Sequence, residues 1–317
     1  RFLVLSDTHD LALGDESNKP ALRQPFPEID VLLHCGDLTE TCTLDGLRQA
    51  VSLVSAIPAE LRICIAGNHD TILDRNFHIA NGGSLSDHEE ALKIMSNGAI
   101  EYLTEGTHSF TLPSGATFNI FTSPYTPSQY GPQYGLHAFQ HASGEDRYNP
   151  STITPDYAKN TSTSASIIPN FPAVDIVMTH GPPKYVLDRT TDGRTSAGCE
   201  HLRRAICRAK PRLHCFGHIH SGYGAQRVAW KDSVSSTELE ELGIEDQSFQ
   251  DDRLVLLPRP EPEGLMKNSN RRRGYVKVSD ATKEALVHGK QTLMVNAAIM
   301  DWESQPHNAP WLVVLDL

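Results

Sequence analysis

Phe2-Leu3-Val4-Leu5-Ser6-Asp7-Thr8-His9 carries four apolar residues straight into a hydroxyl, a carboxylate and an imidazole. Four later segments repeat the pattern: VLLHCGDLTE from Val31, ICIAGNHD from Ile63, VDIVMTHG from Val174 and LHCFGHIH from Leu213. Short aliphatic runs closed by Gly and polar residues suit parallel strands buried on both faces. In such sheets ligands collect beyond the carboxyl ends of the strands. Asp7, His9, Asp37, Asn68, His180, His218 and His220 stand at those ends. Extended backbone puts residues i and i+2 on one side, so Asp7 is expected to converge with His9, and His218 with His220.

Taken in order, the motifs are D-x-H at 7–9, G-D at 36–37, G-N-H-D at 67–70, T-H at 179–180 and G-H-x-H at 217–220. Together they resemble the calcineurin-like metallophosphoesterase superfamily. The segments HGPPKYVLD, GCEHLRRAI, GHIHSGYG and LMVNAAIMD look like its metallophosphoesterase-domain-containing branch. The likeness covers most of the chain apart from the stretches around 130–170 and 231–275. It implies an α/β fold, a four-layer α/β/β/α sandwich of two mixed β-sheets flanked by helices. It also implies two divalent transition-metal ions, one held by Asp7, His9, Asp37 and His220, the other by Asp37, Asn68, His180 and His218, with Asp37 bridging. In the family pattern His69 binds no metal and serves as general acid or electrostatic stabiliser at the leaving group. Glu40, three residues after Asp37, is expected to orient the His69 ring.

Carboxylate, imidazole and amide oxygen form a mixed donor set suited to Mn, Fe or Zn, and no thiolate joins it as in a structural zinc site. Two such ions lower the pKa of a bridging water and clamp the oxygens of an in-line displacement at phosphorus, so the nucleophile implied is hydroxide. Phosphoprotein phosphatases of the superfamily place an Arg after their Gly-Asp, where this chain reads GDLTE. A monoester dianion needs such a cation more than a diester does. The expected activity is therefore a phosphodiesterase acting on a cyclic nucleotide or other small diester. A phosphomonoesterase or protein phosphatase stands second, with Arg75, Arg189 and Arg194 as the bases that folding would have to bring over the site. A reading of another class, a catalytically weak metal-binding scaffold, is disfavoured because all seven ligand positions and His69 are filled.

At 317 residues, 39 % hydrophobic and 21 % charged, the chain suits one interleaved domain over 1–317, since the ligands spread from Asp7 to His220 and strand-like runs reach Leu317. A net charge of −11 argues against a nucleic-acid polymer as partner. About half of it lies at 231–270, the acidic part of an insertion at 231–273 that ends in three arginines and is read as a solvated surface segment or, more sharply, a protein-docking arm. The stretch 123–172, rich in Ser, Thr, Pro, Gly, Asn and Tyr, is expected to be an irregular excursion over the site. Six cysteines without a C-x-x-C pair read as buried thiols of a cytoplasmic protein. No apolar run is long enough for a membrane span. The chain starts almost inside its first strand, so an N-terminal extension with a targeting signal stays open, and Asn160-Thr161-Ser162 matches a glycosylation sequon.

Strands are expected at 2–6, 29–35, 62–66, 109–112, 117–122, 175–179, 213–217, 225–230, 291–296 and 311–316. Helices are expected at 44–56 capped by Thr43, at 87–96 capped by Asp87, and at 199–209. His34 and His214 read as core residues. Gly36, Gly67, Gly181 and Gly217 read as tight turns or close approaches to the metals.

Overall fold

Side chains along a strand alternate between faces, and here the alternation sorts the apolar residues into three layers. A computed structural model of the chain describes residues 1–12, 22–128, 137–193, 195–230, 254–256, 276–277 and 286–317. Its strands are β1 (Phe2–Leu5), β2 (Val31–His34), β3 (Leu61–Cys64), β4 (Glu101–Tyr102), β5 (Gly106–Thr111), β6 (Thr117–Ser123), β7 (Thr126–Ser128), β8 (Gln140–Ala142), β9 (Glu145–Asp146), β10 (Lys159–Asn160), β11 (Ile176–Thr179), β12 (Leu213–Phe216), β13 (Gly224–Trp230), β14 (Leu254–Leu256), β15 (Val276–Lys277), β16 (Gln291–Asn296) and β17 (Trp311–Val313). The helices are α1 (Leu44–Ser55), α2 (Arg75–Ala80), α3 (Leu85–Met95) and α4 (Glu200–Ala209).

Two mixed sheets result, with strand orders β15-β17-β1-β2-β3-β4 and β14-β13-β16-β12-β11-β6-β5. Phe2, Val4, Val31, Leu33 and Ile63 of the first sheet meet Ile120, Ile176, Met178, Leu213, Leu293 and Val295 of the second in the central core. The other face of the first sheet packs Leu3, Leu5 and Leu32 against Leu47, Val51 and Val54 of α1 and Ala91 and Met95 of α3. On the far side of the second sheet Phe121, Val177, Phe216 and Met294 meet Leu202, Ala205, Ile206 and Ala209 of α4. Helix, sheet, sheet and helix follow in that order, the expected four-layer architecture. Strands β1, β2 and β3 run parallel, as do β6, β11, β12 and β16, so the loops after their carboxyl ends gather at one edge.

Thr43 caps α1 by accepting from Gly46 N, as its sequence predicts. The second helix starts earlier than expected, because Ser84 rather than Asp87 is the cap, its hydroxyl accepting from Asp87 N. Cys199 caps α4 instead of beginning it. Helix α2 was not expected; Asp74 caps it by accepting from Phe77 N, but six residues give too short a pattern to read. The excursion is not wholly irregular. Strands β7 and β8 pair in parallel, as do β9 and β10. The buried Asp146 carboxylate knits the excursion by accepting from Asn149 N and Nδ2 and from Thr154 Oγ1. Asn160 of the sequon spends its amide on Asn149 O at 2.9 Å and Thr154 Oγ1 at 2.8 Å. Within the acidic insertion, β14 pairs antiparallel with β13, so one part of that segment extends the second sheet. The remainder of the insertion lies outside the described residues.

Six cysteines are free, five of them buried. Among the described residues no helix is long and apolar enough to cross a membrane.

Candidate metal centre

The loops that leave β1, β2, β3, β11 and β12 bring all seven expected positions together, but not by the route that extended geometry suggests. Asp7, His9, Asp37 and His218 have φ of 54°, 43°, 51° and 67°. The same-side argument for Asp7 with His9 and for His218 with His220 therefore fails as a mechanism. The chain turns sharply through left-handed conformations, which cost about 1–3 kcal/mol each and persist only when their surroundings over-determine them. Much of that determination is visible. Asp7 accepts from His218 N with both oxygens at 3.1 and 3.0 Å, while Asp37 Oδ1 accepts from His69 N at 2.8 Å. Asp70, fully buried, accepts from Leu38 N, Thr39 N, Thr39 Oγ1 and Gly67 N, tying the GDLTE loop to the GNHD loop.

Three groups of donors lie close enough to hold an ion: Asp7, His9 and His220 form one, Asp37, His180 and His218 a second, and His9 with Glu40 and His69 a third that shares His9 with the first. His218 and His220 thus fall in different clusters. Asn68 joins the second through Oδ1, 2.8 Å from His180 Nε2. Asp37 stands between the first two: its Oδ2 lies 3.3 Å from His180 Nε2 and 3.8 Å from His9 Nε2. His220 Nε2 is 3.5 Å from Asp7 Oδ1.

The tautomers follow from what the other ring nitrogens touch. His180 Nδ1 donates to Cys35 O at 2.9 Å and His220 Nδ1 to Asp301 O at 3.2 Å, and a carbonyl can only accept. Each ring therefore has Nε2 for the cluster, as metal-ligating histidines do. His9 adds the strongest sign of fit. Its Nε2 and Nδ1 are both buried with no hydrogen-bond partner, and Nε2, turned toward Asp37, is the one a cation would satisfy.

Electrostatics agree. Burial alone would raise Asp7, but its hydrogen bond and charge interaction with His220 hold it well below the usual carboxylate range. Burial works the same way on Asp37, where the His180 charge prevails and the carboxyl is again strongly lowered. His180 is opposed by burial yet pushed up to about 9, chiefly by the Asp37 charge, so without a cation its Nε2 carries a proton that metal binding would displace. His218 is pulled down to about 3 by burial. Two buried carboxylates that stay ionised among imidazoles make a site for divalent cations rather than for an anion.

The backbone is shaped to the same end. A Cβ on Gly67 would stand 2.2 Å from Asp37 Oδ1, and one on Gly217 would stand 2.0 Å from Asp7 Oδ2. Only glycine admits the carboxylates this close to the chain.

His69 sits beside the first two clusters, its ring 4.9 Å from that of His9. Its Nδ1 donates to the Glu40 backbone carbonyl at 3.2 Å. The Glu40 carboxylate bears on a different ring from the one expected: Oε2 is 2.7 Å from His9 Nδ1 and 3.8 Å from His69 Nδ1. Of the three arginines, Arg75 is exposed on α2, and Arg189 donates to Gly193 O at 3.3 Å. Arg194 lies outside the described residues. Among the described residues, the hydrogen-bond and ion-pair partners of the seven positions and of His69 include no Lys or Arg.

Several contributors escape sequence reasoning. Asp301 reaches His220 through its carbonyl, which every residue has. Thr8 and Thr179, each next to a ligand position, have hydroxyls that donate onward to Leu38 O and Gly181 O, and they face His34 Nε2 at 3.0 Å and His214 Nε2 at 2.9 Å. The two buried imidazoles are the donors in those contacts. His137 comes from the excursion, its ring 4.9 Å from that of His69, and no periodicity marks it.

A two-sheet sandwich that gathers carboxylates and imidazoles of this kind at one edge carries the donors for divalent cations. The chain belongs to the calcineurin-like phosphoesterase family, whose model matches residues 1–222. It is 34 % identical over 232 residues to an Emericella nidulans protein named probable rhamnogalacturonate lyase C, covering 73 % of this chain and 18 % of that protein. It is 29 % identical over 237 residues to human metallophosphoesterase domain-containing protein 1, covering 71 % of this chain and 61 % of that one. The chain thus spans less than two thirds of either relative. A solved Thermus thermophilus protein aligns at 11 % identity and a TM-score of 0.41, over 81 % of this chain and 88 % of that chain.

Proposed function

We propose that the protein hydrolyses small phosphodiesters with two divalent transition-metal ions, one held by Asp7, His9, Asp37 and His220, the other by Asp37, Asn68, His180 and His218. The observation that supports this most is Asp37 Oδ2, set 3.3 Å from an imidazole nitrogen of one cluster and 3.8 Å from one of the other. When bound, the ions supply a water of lowered pKa and positive charge for the phosphoryl oxygens. The donor types suit Mn, Fe or Zn.

The chain's own groups orient and protonate. His69 donates Nδ1–H to the Glu40 carbonyl, so Nε2 would donate to the leaving-group oxygen or a phosphoryl oxygen from the doubly protonated ring, in which both nitrogens carry a proton. Glu40, its carboxylate against His9 Nδ1, holds that ring with Nε2 toward Asp37. The diester preference rests on the described partners of the site side chains, which include no Arg or Lys, since a monoester's additional charge calls for such a cation beside the ions. The partners of the site side chains are instead carbonyls, amides, carboxylates and imidazoles.

The test compares bis(p-nitrophenyl) phosphate with p-nitrophenyl phosphate at one pH with Mn²⁺. Higher kcat/KM for the diester is expected. The reverse order, with monoesterase activity lost in Arg75→Ala or Arg189→Ala, would make the protein a phosphomonoesterase.

A further inference from the structure

Imidazoles form a line that starts in the candidate metal centre and ends outside it. The His220 and His9 rings are 5.4 Å apart, those of His9 and His69 4.9 Å, and those of His69 and His137 4.9 Å. The first two belong to one donor cluster, and His69, the candidate proton donor, belongs to another with His9 and Glu40. His137 belongs to no metal-donor cluster among the described residues and makes no ring hydrogen bond to another described residue. It is half-buried.

The segment that delivers it is firmly fixed. Ala138 N donates to Asn68 O at 2.9 Å, which joins the residue after His137 to a ligand position. Phe139 N donates to Asp74 Oδ2 at 3.0 Å, and Thr126 N to Phe139 O at 2.9 Å. Ala138 and Phe139 are buried in the same core as α1 and α3. An imidazole held in this way, unused by the core and adjacent to the proton donor, is placed for a ligand.

We propose that His137 is a specificity-determining residue that contacts the alcohol portion of the phosphoester, taking a planar heterocyclic group such as a nucleoside base against its ring. The inference rests on the phosphodiesterase reading for the location of the leaving group, on the His69 side of the clusters. A group released past His69 meets His137 next. The neutral imidazole offers a flat face and a ring nitrogen, so it recognises a base better than it recognises a small alkyl group, and ring stacking of this kind changes affinity by about 5- to 100-fold.

The test is equilibrium binding, which does not depend on turnover. Metal-loaded wild type, His137→Ala and His137→Phe are titrated by calorimetry with a nucleoside 5′-monophosphate and, separately, with inorganic phosphate, after elemental analysis has shown equal metal content. His137→Ala should weaken nucleotide binding about tenfold while leaving phosphate binding unchanged, and His137→Phe should retain most of the affinity. Equal nucleotide affinity in wild type and His137→Ala overturns the inference, as does an equal loss for nucleotide and phosphate, which would make His137 a support for the metal centre. Kinetics on bis(p-nitrophenyl) phosphate, run in parallel, separate the two readings. Selective binding without hydrolysis would sink the phosphodiesterase proposal and keep the base subsite. Hydrolysis with His137-independent binding would do the opposite.

Discussion

Replacing Gly217 by alanine adds one methyl group at the place where the chain crosses the Asp7 carboxylate. The new Cβ would lie 2.0 Å from Asp7 Oδ2, 2.2 Å from Ser6 Oγ and 2.6 Å from Ser6 Cβ. Ordinary contact begins near 3.4 Å, so Asp7 must retreat by about 1.4 Å. Ser6 and Asp7 are both fully buried, which leaves no free space for the shift. The move breaks the paired bonds from His218 N at 3.1 and 3.0 Å and separates Asp7 from His220. Overpacking of this kind costs about 1–3 kcal/mol, so the fold should survive with a melting temperature lower by several degrees. Function should suffer far more, since a misplacement of about 1 Å is worth about 10²-fold in rate. The assay is kcat on bis(p-nitrophenyl) phosphate with Mn²⁺, beside a thermal melt and elemental analysis. Gly144→Ala, where a Cβ meets nothing within 4 Å, is the control. Gly217→Ala with wild-type activity would refute the claim that Asp7 is held in one working position.

His69→Ala should lower kcat by about 10²–10⁴ with metal content unchanged, and the loss should shrink for activated leaving groups; equal losses on alkyl and nitrophenyl esters would remove the acid role. Glu40→Ala should weaken metal binding by about 10- to 100-fold, because the His9 ring loses its carboxylate, and metal titrations that superimpose on wild type would count against this. His214 is pulled down by burial to about 3, below its unfolded value of 6.5, so its stabilising effect is complete above pH 6.5 and is lost as pH falls toward 3. Between pH 6.5 and 5 the metal-free wild type should lose about 2 kcal/mol that His214→Gln does not lose; parallel urea-denaturation profiles at both pH values would contradict that.

The two mixed sheets, and the edge where the polar residues gather, were legible because burial on both faces leaves a strong record. FLVL, VLLH, IVMT and LHCF are apolar on both sides because each strand has a helix on one face and the opposite sheet on the other. The polar residue after each run could then only lie at the carboxyl edge. How the chain turns there was not legible: Asp7, His9, Asp37 and His218 carry φ values that nothing in their residue types requires. They are imposed by partners distant in sequence, such as Asp70 on Leu38 and Thr39. Glu40 shows the same limit. Its place three residues after Asp37 pointed to His69, whereas the folded loop aims its carboxylate at His9 and leaves its carbonyl for His69. The order within the excursion rests on Asp146 bonding Asn149 and Thr154, and single polar residues in an aperiodic stretch carry no pattern. His137 was hidden for that reason.

Metal stoichiometry reads out whether one carboxylate, Asp37, joins two metal sites. Wild type and Asp37→Ala, stripped with chelator and reconstituted with Mn²⁺, are desalted and measured by elemental analysis against protein concentration. Wild type should retain two ions per chain, and Asp37→Ala at most one. Two ions retained by Asp37→Ala would contradict the account.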